Sequence, residues 1–440
     1  VNVYWLGGNS GTQTSSTGTY SLFRKQGFSK LVFSYIGYTS DTVLASNNTI
    51  DVVLTAGTKI QEVVVKSEGN SFYKKMETVQ VQQIGTGELR KAACCNLSES
   101  FSTNASVDVN YTDAVSGAKQ IELLGLAGKY GQIMIEKMPQ VRGLSSNYGL
   151  SYIPGTWMDA IQVSKGTSSV VDGFESTTGQ INVEFKKPSK GEKFMLNMYG
   201  SGNGKFEANS NIRFKLNDKW STSVLAHGES YNNTHDMNDD GFIDMPGVQQ
   251  YNLMNRWSYV QPSGLEAQFG IKALGERRWG GRMGFDGFKS SLNDTVYNFL
   301  VNTKRIEAFS KTGWVFKKEA TSLGFINNVS RIDQNSIYGH NHFDASQDNW
   351  YSNLIYESFI GNTFHKYTTG ASFMYDNYHQ QLNGVEMPKQ EYTPGVFFQY
   401  TYTHSDKYVL MAGIRADHSN IYGTFFTPRF HFKYNFPNDM

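Results

Sequence analysis

Cysteine is scarce in this sequence: two residues in 440, Cys94 and Cys95, side by side. Adjacent Cα atoms stand about 3.8 Å apart across a trans peptide, whereas a relaxed disulfide wants roughly 4.4–6.8 Å. A structural staple between them is therefore not expected. A charge excess is also missing. There are 40 basic and 39 acidic side chains, which removes the electrostatic case for a nucleic-acid partner. Charged residues make up 18%, below the roughly 25% of soluble domains. No apolar run approaches the roughly 20 residues of a membrane helix. That excludes helical membrane proteins but not barrels, whose strands alternate and average out to a polar hydropathy. The chain starts at Val1, without an initiator Met or signal peptide, and Phe436–Met440 reads as a turn after a strand, so truncation is expected at both ends. No Ser/His/Asp order, paired-carboxylate motif, phosphate loop or zinc signature stands out. His227, Glu229 and Asp236 fall close together, but polar strands and loops often contain such triples. An enzyme is not expected.

What the chain does have is aromatic residues, 14% of the total, and alternation. Residues 1–57 alternate at Val1-Val3-Trp5, Tyr20-Leu22, Leu31-Phe33-Tyr35 and Ile50-Val52-Leu54, with turn signals between, which predicts a small β-sandwich. Residues 58–69 hold the β-prone run Ile60–Lys66, suited to adding as a strand to a partner's sheet edge. Residues 70–187 mix short helical and strand signals and read as a small α+β domain. Asn96 followed by Glu99 predicts a capped helix start. At its end, Trp157–Lys187 carries two alternating runs, Ile161/Val163 and Ile181/Val183/Phe185, around a Gly/Ser/Thr-rich interval, which predicts two strands and a tight connection.

From residue 188 to 440 the pattern changes to long strands with one apolar and one polar face. Phe206, Ala208, Ser210, Ile212 and Phe214 oppose Lys205, Glu207, Asn209, Asn211 and Arg213; Leu410 and Ile414 oppose Met411, Arg415 and Asp417. A soluble sandwich alternates too. Length around ten residues, terminal aromatics, and tight turns alternating with polar loops near 231–249, 276–299, 332–347 and 378–391 point instead to a transmembrane barrel. The fold class is thus mainly β: a small sandwich, an α+β domain and an incomplete antiparallel barrel of about twelve strands.

The order of these parts resembles a TonB-dependent outer-membrane receptor of the kind common in Bacteroidota. Residues 1–57 resemble a carboxypeptidase-regulatory-like domain, and Glu62, Val63, Val64 and Val65 look like a TonB box. Cys95–Phe101, Met158–Gly166 and Gly179–Val183 are similar to the start and end of the family's plug. The resemblance implies a barrel of about 22 strands, of which this chain holds about twelve, and an outer-membrane location. It implies TonB as partner, with ExbB and ExbD, besides outer-membrane lipid, a small extracellular ligand and an accessory surface lipoprotein. It also implies energised uptake of a scarce ligand: a metal ion, metal chelate such as a siderophore, cobalamin or similar. The rival is a passive porin or adhesin barrel. One departure is Glu136-Lys137-Met138-Pro139, where many relatives carry an Asp-Gly turn.

Four constellations remain. Asp236, Asn238, Asp240 and Asp244, with Gly241, match the first part of a calcium loop, though position twelve is Gly247 in place of the bidentate Glu. Cys94 and Cys95 before a helix start suit a soft metal, and with Met134, Met138 and Met158 nearby they suit copper as the ligand. The plain alternative is core packing. Arg142, Tyr148, Tyr152 and Trp157 lie in or beside a Gly/Ser-rich interval, where they suit ligand binding or packing equally. His340 and His342 suit a solvated loop better than a metal site. No cofactor is required by this reading.

Overall fold

The computed structural model describes residues 1–440 except 7–10, 16–17, 25–27, 35–40, 55–71, 74–78, 80, 92–94, 102–103, 105–106, 114, 233–234, 286–296, 319, 405–406 and 436–440. It forms two compact units, Val1–Glu68 and Gly69–Met440.

The first unit is an antiparallel sheet in the spatial order Gly11–Gln13, Asn2–Trp5, Lys30–Ser34, Asp41–Leu44. Val3, Trp5, Leu31 and Phe33 form its core. The predicted strands at Tyr20–Leu22 and Ile50–Leu54 are not part of the ladder. Their apolar side chains still pack on that core. Alternation places a side chain; a strand also needs a hydrogen-bonding neighbour.

Within the second unit, a six-stranded sheet runs Met138–Pro139, Gly131–Ile135, Gly179–Phe185, Met158–Lys165, Val81–Gly85, Phe72–Tyr73. Gly179–Phe185 pairs antiparallel with Met158–Lys165, placing Ile161 opposite Val183 and Val163 opposite Ile181, and parallel with Gly131–Ile135. The four branched side chains alternate into a core shared with Ile84, Leu97, Trp157 and Phe185. The connection between the two strands needs Gly166 and Gly173, both at positive φ (+82° and +112°). The helix predicted at Asn96 shrinks to a single 3-10 turn, Glu99–Phe101. Its capping bonds do form: Asn96 Oδ1 accepts from the Ser98 amide at 3.1 Å, and Glu99 accepts from the Cys95 amide at 3.2 Å. The sequence Ser102-Thr103-Asn104 that follows favours turns over propagation.

Beside a two-stranded ladder of Asp108–Asp113 with Ala118–Glu122, the rest is one antiparallel sheet of thirteen strands, twelve in sequence order from Phe194–Gly200 to Gly423–Tyr434 and the short Val385–Glu386 off that path. Its two edge strands are not paired with each other. The polarity is inverted relative to a soluble protein. Phe206 and Phe214 are exposed while Glu207 and Asn209 are buried; Ile414 is exposed while Arg415 and Asp417 are buried. Leu253, Ile271, Ile306, Val329, Leu354, Val396 and Phe430 continue the exposed apolar band. Such a band is far larger than the apolar patches soluble monomers expose, and it faces lipid.

Call the end where the chain passes from Lys187 to Phe194 the near end. Its turns are short: 216–219, 261–264, 316–321, 360–364. At the far end, 232–246 and 282–297 are long, as the sequence predicts. The loops predicted near 332–347 and 378–391 are mostly strand. Ser322–Tyr338 and Asn341–Phe359 are joined by two residues only, and His340 sits in that turn. These strands reach 17 and 19 residues, well past the 9–11 a tilted strand needs to cross a bilayer. They rise into water, where both faces turn polar, so a polar stretch resembles a loop in sequence.

Candidate functional site

The small sheet lies against the concave face of the large one, and its outward loops are tied to the wall. Arg142 pairs with Asp376 and with Glu175, the latter at 3.1 Å. Arg305 donates to Gln140 at 2.8 Å and to Ser145 at 3.0 Å. The Leu144 amide donates to Gln347 at 3.0 Å. Burial alone would lower the Arg142 pKa; Glu175 and Asp376 outweigh it and raise it further. Arg142 is thus a fixed charge.

At the far end the loops and the wall enclose a cavity of about 440 Å³. Cys95, Glu99, Tyr111, Lys119 and Tyr148 line it from one side; Tyr199, Lys205, Glu229, Tyr231 and Arg278 line it from the wall. The Arg278 guanidinium lies 4.8 Å from the Tyr148 ring centroid, and Lys205 is held by Glu207 at 3.0 Å and Glu229 at 3.2 Å. Aromatic faces plus fixed charges of both signs are the kind of lining that can orient a small polar molecule.

Towards the near end lies a different cluster. Glu136, at φ +52°, is 1% exposed. It accepts two bonds from Arg256, at 2.8 and 3.1 Å, and one from Lys187 at 2.7 Å, with Lys311 at 3.8 Å. Burial would raise its pKa; Arg256, Lys187 and Lys311 outweigh burial and hold the carboxyl far below the usual range. This fork geometry is the strong form of an ion pair.

The residues singled out in the sequence are distributed as follows. Glu62–Val65 and Cys94 lie outside the described residues. Cys95 is half-buried, and burial pushes its thiol up, Lys205 opposing and Glu207 adding to the rise. It is not the low-pKa thiolate a helix start would give. Tyr148 lines the cavity and Arg142 braces the loop beside it. Tyr152 is buried, with its hydroxyl 3.4 Å from Thr303; burial raises its pKa. Met134, Met138 and Trp157 sit in the interior instead of facing a ligand. Trp157 meets Phe185 edge-on at 5.8 Å. Strand alternation sends Met134 inward, Met138 lies in the two-residue strand Met138–Pro139, and Trp157 ends the 3-10 turn Gly155–Trp157. Met158 is buried as well.

Asp236, Asn238, Asp240 and Asp244 do share one exposed turn. Asp236 accepts from the Gly241 amide at 2.8 Å, Asp240 from the Phe242 amide at 2.8 Å, and Asp244 from the Met237 amide at 2.9 Å. The carboxylates thus order their own loop. Among the described residues no three His, Cys, Asp or Glu side chains converge as a metal site. Sequence reading missed Tyr199, Lys205, Tyr231, Arg256 and Arg278. The available signal was a charged or aromatic residue on the polar face of a strand.

Residues 74–179 match the family model of the TonB-dependent receptor plug domain. A curated relative, TonB-dependent receptor P26 of Formosa agariphila, is 26% identical over 211 residues, 47% of this chain and 20% of its own length. Among solved structures, P. aeruginosa FpvA bound to a pyoverdine superposes with TM-score 0.66 at 10% identity, covering 83% of this chain and 56% of that one. FauA, the alcaligin outer-membrane receptor from Bordetella pertussis, gives 0.64 at 10% identity over 83% and 61%. The E. coli ferric-catecholate import receptor Fiu in its open form gives 0.60 at 13% identity over 78% and 60%. These structural likenesses speak for the fold alone. The chain spans a fifth of the curated relative's length and somewhat over half of each solved one.

Proposed function

The chain belongs to the TonB-dependent outer-membrane receptors, and from that premise we propose that it imports a scarce extracellular ligand using energy delivered through TonB. The carrying observation is the far-end cavity, walled partly by plug loops and partly by barrel strands. A ligand held there touches both bodies, so binding biases how the plug sits. The cargo is a metal chelate, a metal ion, cobalamin or a similar compound. The solved structures it resembles include pyoverdine, alcaligin and ferric-catecholate receptors, which is compatible with such a cargo. On this reading the far end faces outward and the near end faces the periplasm, where Ile60–Lys66 adds as a strand to TonB and ExbB/ExbD supply the force.

The test is direct binding. A purified periplasmic domain of TonB should bind the receptor and lose at least about tenfold in affinity, 1.4 kcal/mol, when Ile60–Lys66 is deleted. Undiminished binding overturns the energised reading.

A further inference from the structure

The lipid-facing band of the barrel carries two asparagines, and their partners differ. Asn255 faces outward between Leu253 and Trp257 on Gly247–Val260. The barrel satisfies it completely: its amide donates to Thr222 Oγ1 and the Ser223 carbonyl, both at 3.2 Å, and its oxygen accepts from Trp257 Nε1 at 2.8 Å. Asn327 lies on Ser322–Tyr338 between the exposed Phe325 and Val329. Cross-strand pairing sets Ser310 on one side of it and Ser352 on the other. Both serines are also at mid-band, Ser310 between Trp314 and Ile306, Ser352 between Leu354 and Trp350, and all four flanking side chains are exposed. Asn327 Oδ1 accepts from Ser352 Oγ at 2.5 Å. Among the described residues, nothing accepts from its Nδ2, and the Ser310 hydroxyl has no partner. Lipid tails offer no acceptor, so an amide left unpaired there is costly. Its partner must come from outside the barrel.

The surroundings of this patch are self-complementary. A primary amide both donates and accepts, so two Asn327 side chains facing one another can each give an N–H to the other's oxygen. Ala308 and Thr312, beside Ser310 on the same strand face, are small and allow two outer surfaces to approach closely. Nearer the far end, Arg331 pairs with Asp333 at 3.0 Å and Asp348 at 3.1 Å, and Lys304 lies opposite Asp333 on the next strand. Charges of both signs are thus interspersed at one level, and two identical faces meeting there need not repel.

We propose that the outer face of Asn298–Val315, Ser322–Tyr338 and Asn341–Phe359 binds a second copy of this chain, with Asn327 at the two-fold axis and Ser310 and Ser352 flanking it. The axis runs along the membrane normal, because both copies must keep the same ends in the same compartments. Such a contact is isologous and closes at two copies. Polar side chains facing lipid serve as the glue between membrane-spanning bodies when each finds its partner on the other. The contact uses only the outer face of the barrel, so it stands whether or not the importer reading does.

The test measures self-association of the purified receptor in liposomes. Donor and acceptor dyes are placed on Asp218→Cys, an exposed near-end turn position, in a Cys94→Ser/Cys95→Ser background. Energy transfer should rise linearly with acceptor fraction, as a dimer requires, and fall reversibly as lipid is added. Ser310→Ala/Asn327→Leu/Ser352→Ala should raise the dissociation constant at least about tenfold. This variant makes the band more apolar, and unchanged gel mobility without heating shows that it is folded. Ser210→Ala and Ile414→Ala, elsewhere on the outer face, should leave the constant within about twofold. A receptor that is monomeric at every lipid ratio overturns the proposal, and so does a triple variant that associates as well as the parent. In outer membranes, oxidation should join Val329→Cys to its own copy at least about tenfold more than Leu253→Cys or Ile414→Cys, since a disulfide needs Cα atoms within roughly 6.8 Å. Equal capture at all three positions places the contact elsewhere. Capture of a different protein by Val329→Cys, with the purified receptor monomeric, overturns the second copy as the occupant.

Discussion

Glu136 ties the plug to the barrel wall through a buried cluster of charges. A carboxylate 1% exposed survives only because three cations surround it. Arg256→Met takes away the two bonds of the fork and leaves Glu136 with Lys187 and the more distant Lys311, so it should destabilise plug attachment by about 1–3 kcal/mol. The urea midpoint for exposure of the Gly131–Ile135 amides to hydrogen exchange would report it. The pH dependence has a definite sign. Because the folded carboxyl titrates far below its ordinary 4.5, its contribution is complete above that value and fades as acid lowers the pH beyond it. Glu136→Gln should therefore flatten the acid limb of the stability curve, and an unchanged limb would count against the cluster. Glu136 itself was conspicuous in the sequence as a departure from the pattern that the family resemblance implies. Its partners Arg256 and Lys311 were not, because they lie more than a hundred residues further along and meet it only once the barrel wraps the plug.

Among the elements, the strand pair Met158–Lys165 and Gly179–Phe185 was the most legible. Short branched runs with period two, separated by glycines, leave one register that buries both apolar faces. The interval between them was legible only as a connection. Its work emerges from bonds to distant strands: Arg429 alone donates to Ser168, Ser169, Phe174 and Ser176. Arg429→Ala should leave several loop carbonyls unpaired and loosen Ser168–Asp172 by about 1–3 kcal/mol. The expected outcome is faster hydrogen exchange at the Val171 amide, whose partner is Ser169 Oγ, with the Ile161 and Val183 amides unmoved. Equal acceleration throughout the plug would mean that the loop is part of the core. The far-end hairpins teach the opposite lesson. Their polar alternation on both faces read as loop because composition reports the solvent a residue meets, whereas hydrogen bonding between neighbouring strands decides whether it is strand.

At the scale of the whole molecule, the outer face of the barrel carries a boundary that can be located. Ile271 lies in the exposed apolar band. On the outward face nearer the far end, Arg331 pairs with Asp333 at 3.0 Å and Asp348 at 3.1 Å, and Asn335 bonds Asp344. Such pairs stand in water, where they contribute little; in hydrocarbon they would be costly. The bilayer must therefore end between these levels. The strands' 17–19 residues against the 9–11 needed to span require the same overhang. An arginine on the lipid face costs about 2–4 kcal/mol at the midplane and about 0–1 near the interface. Ile271→Arg should thus lower the stability of the receptor folded into liposomes by the larger amount, while Asn335→Arg should leave it within the smaller one. Both substitutions add the same charge to an outward-facing strand position, so a difference between them reads depth alone. Equal costs would mean that the apolar band does not mark the membrane, and the inverted polarity of the barrel would then need another cause.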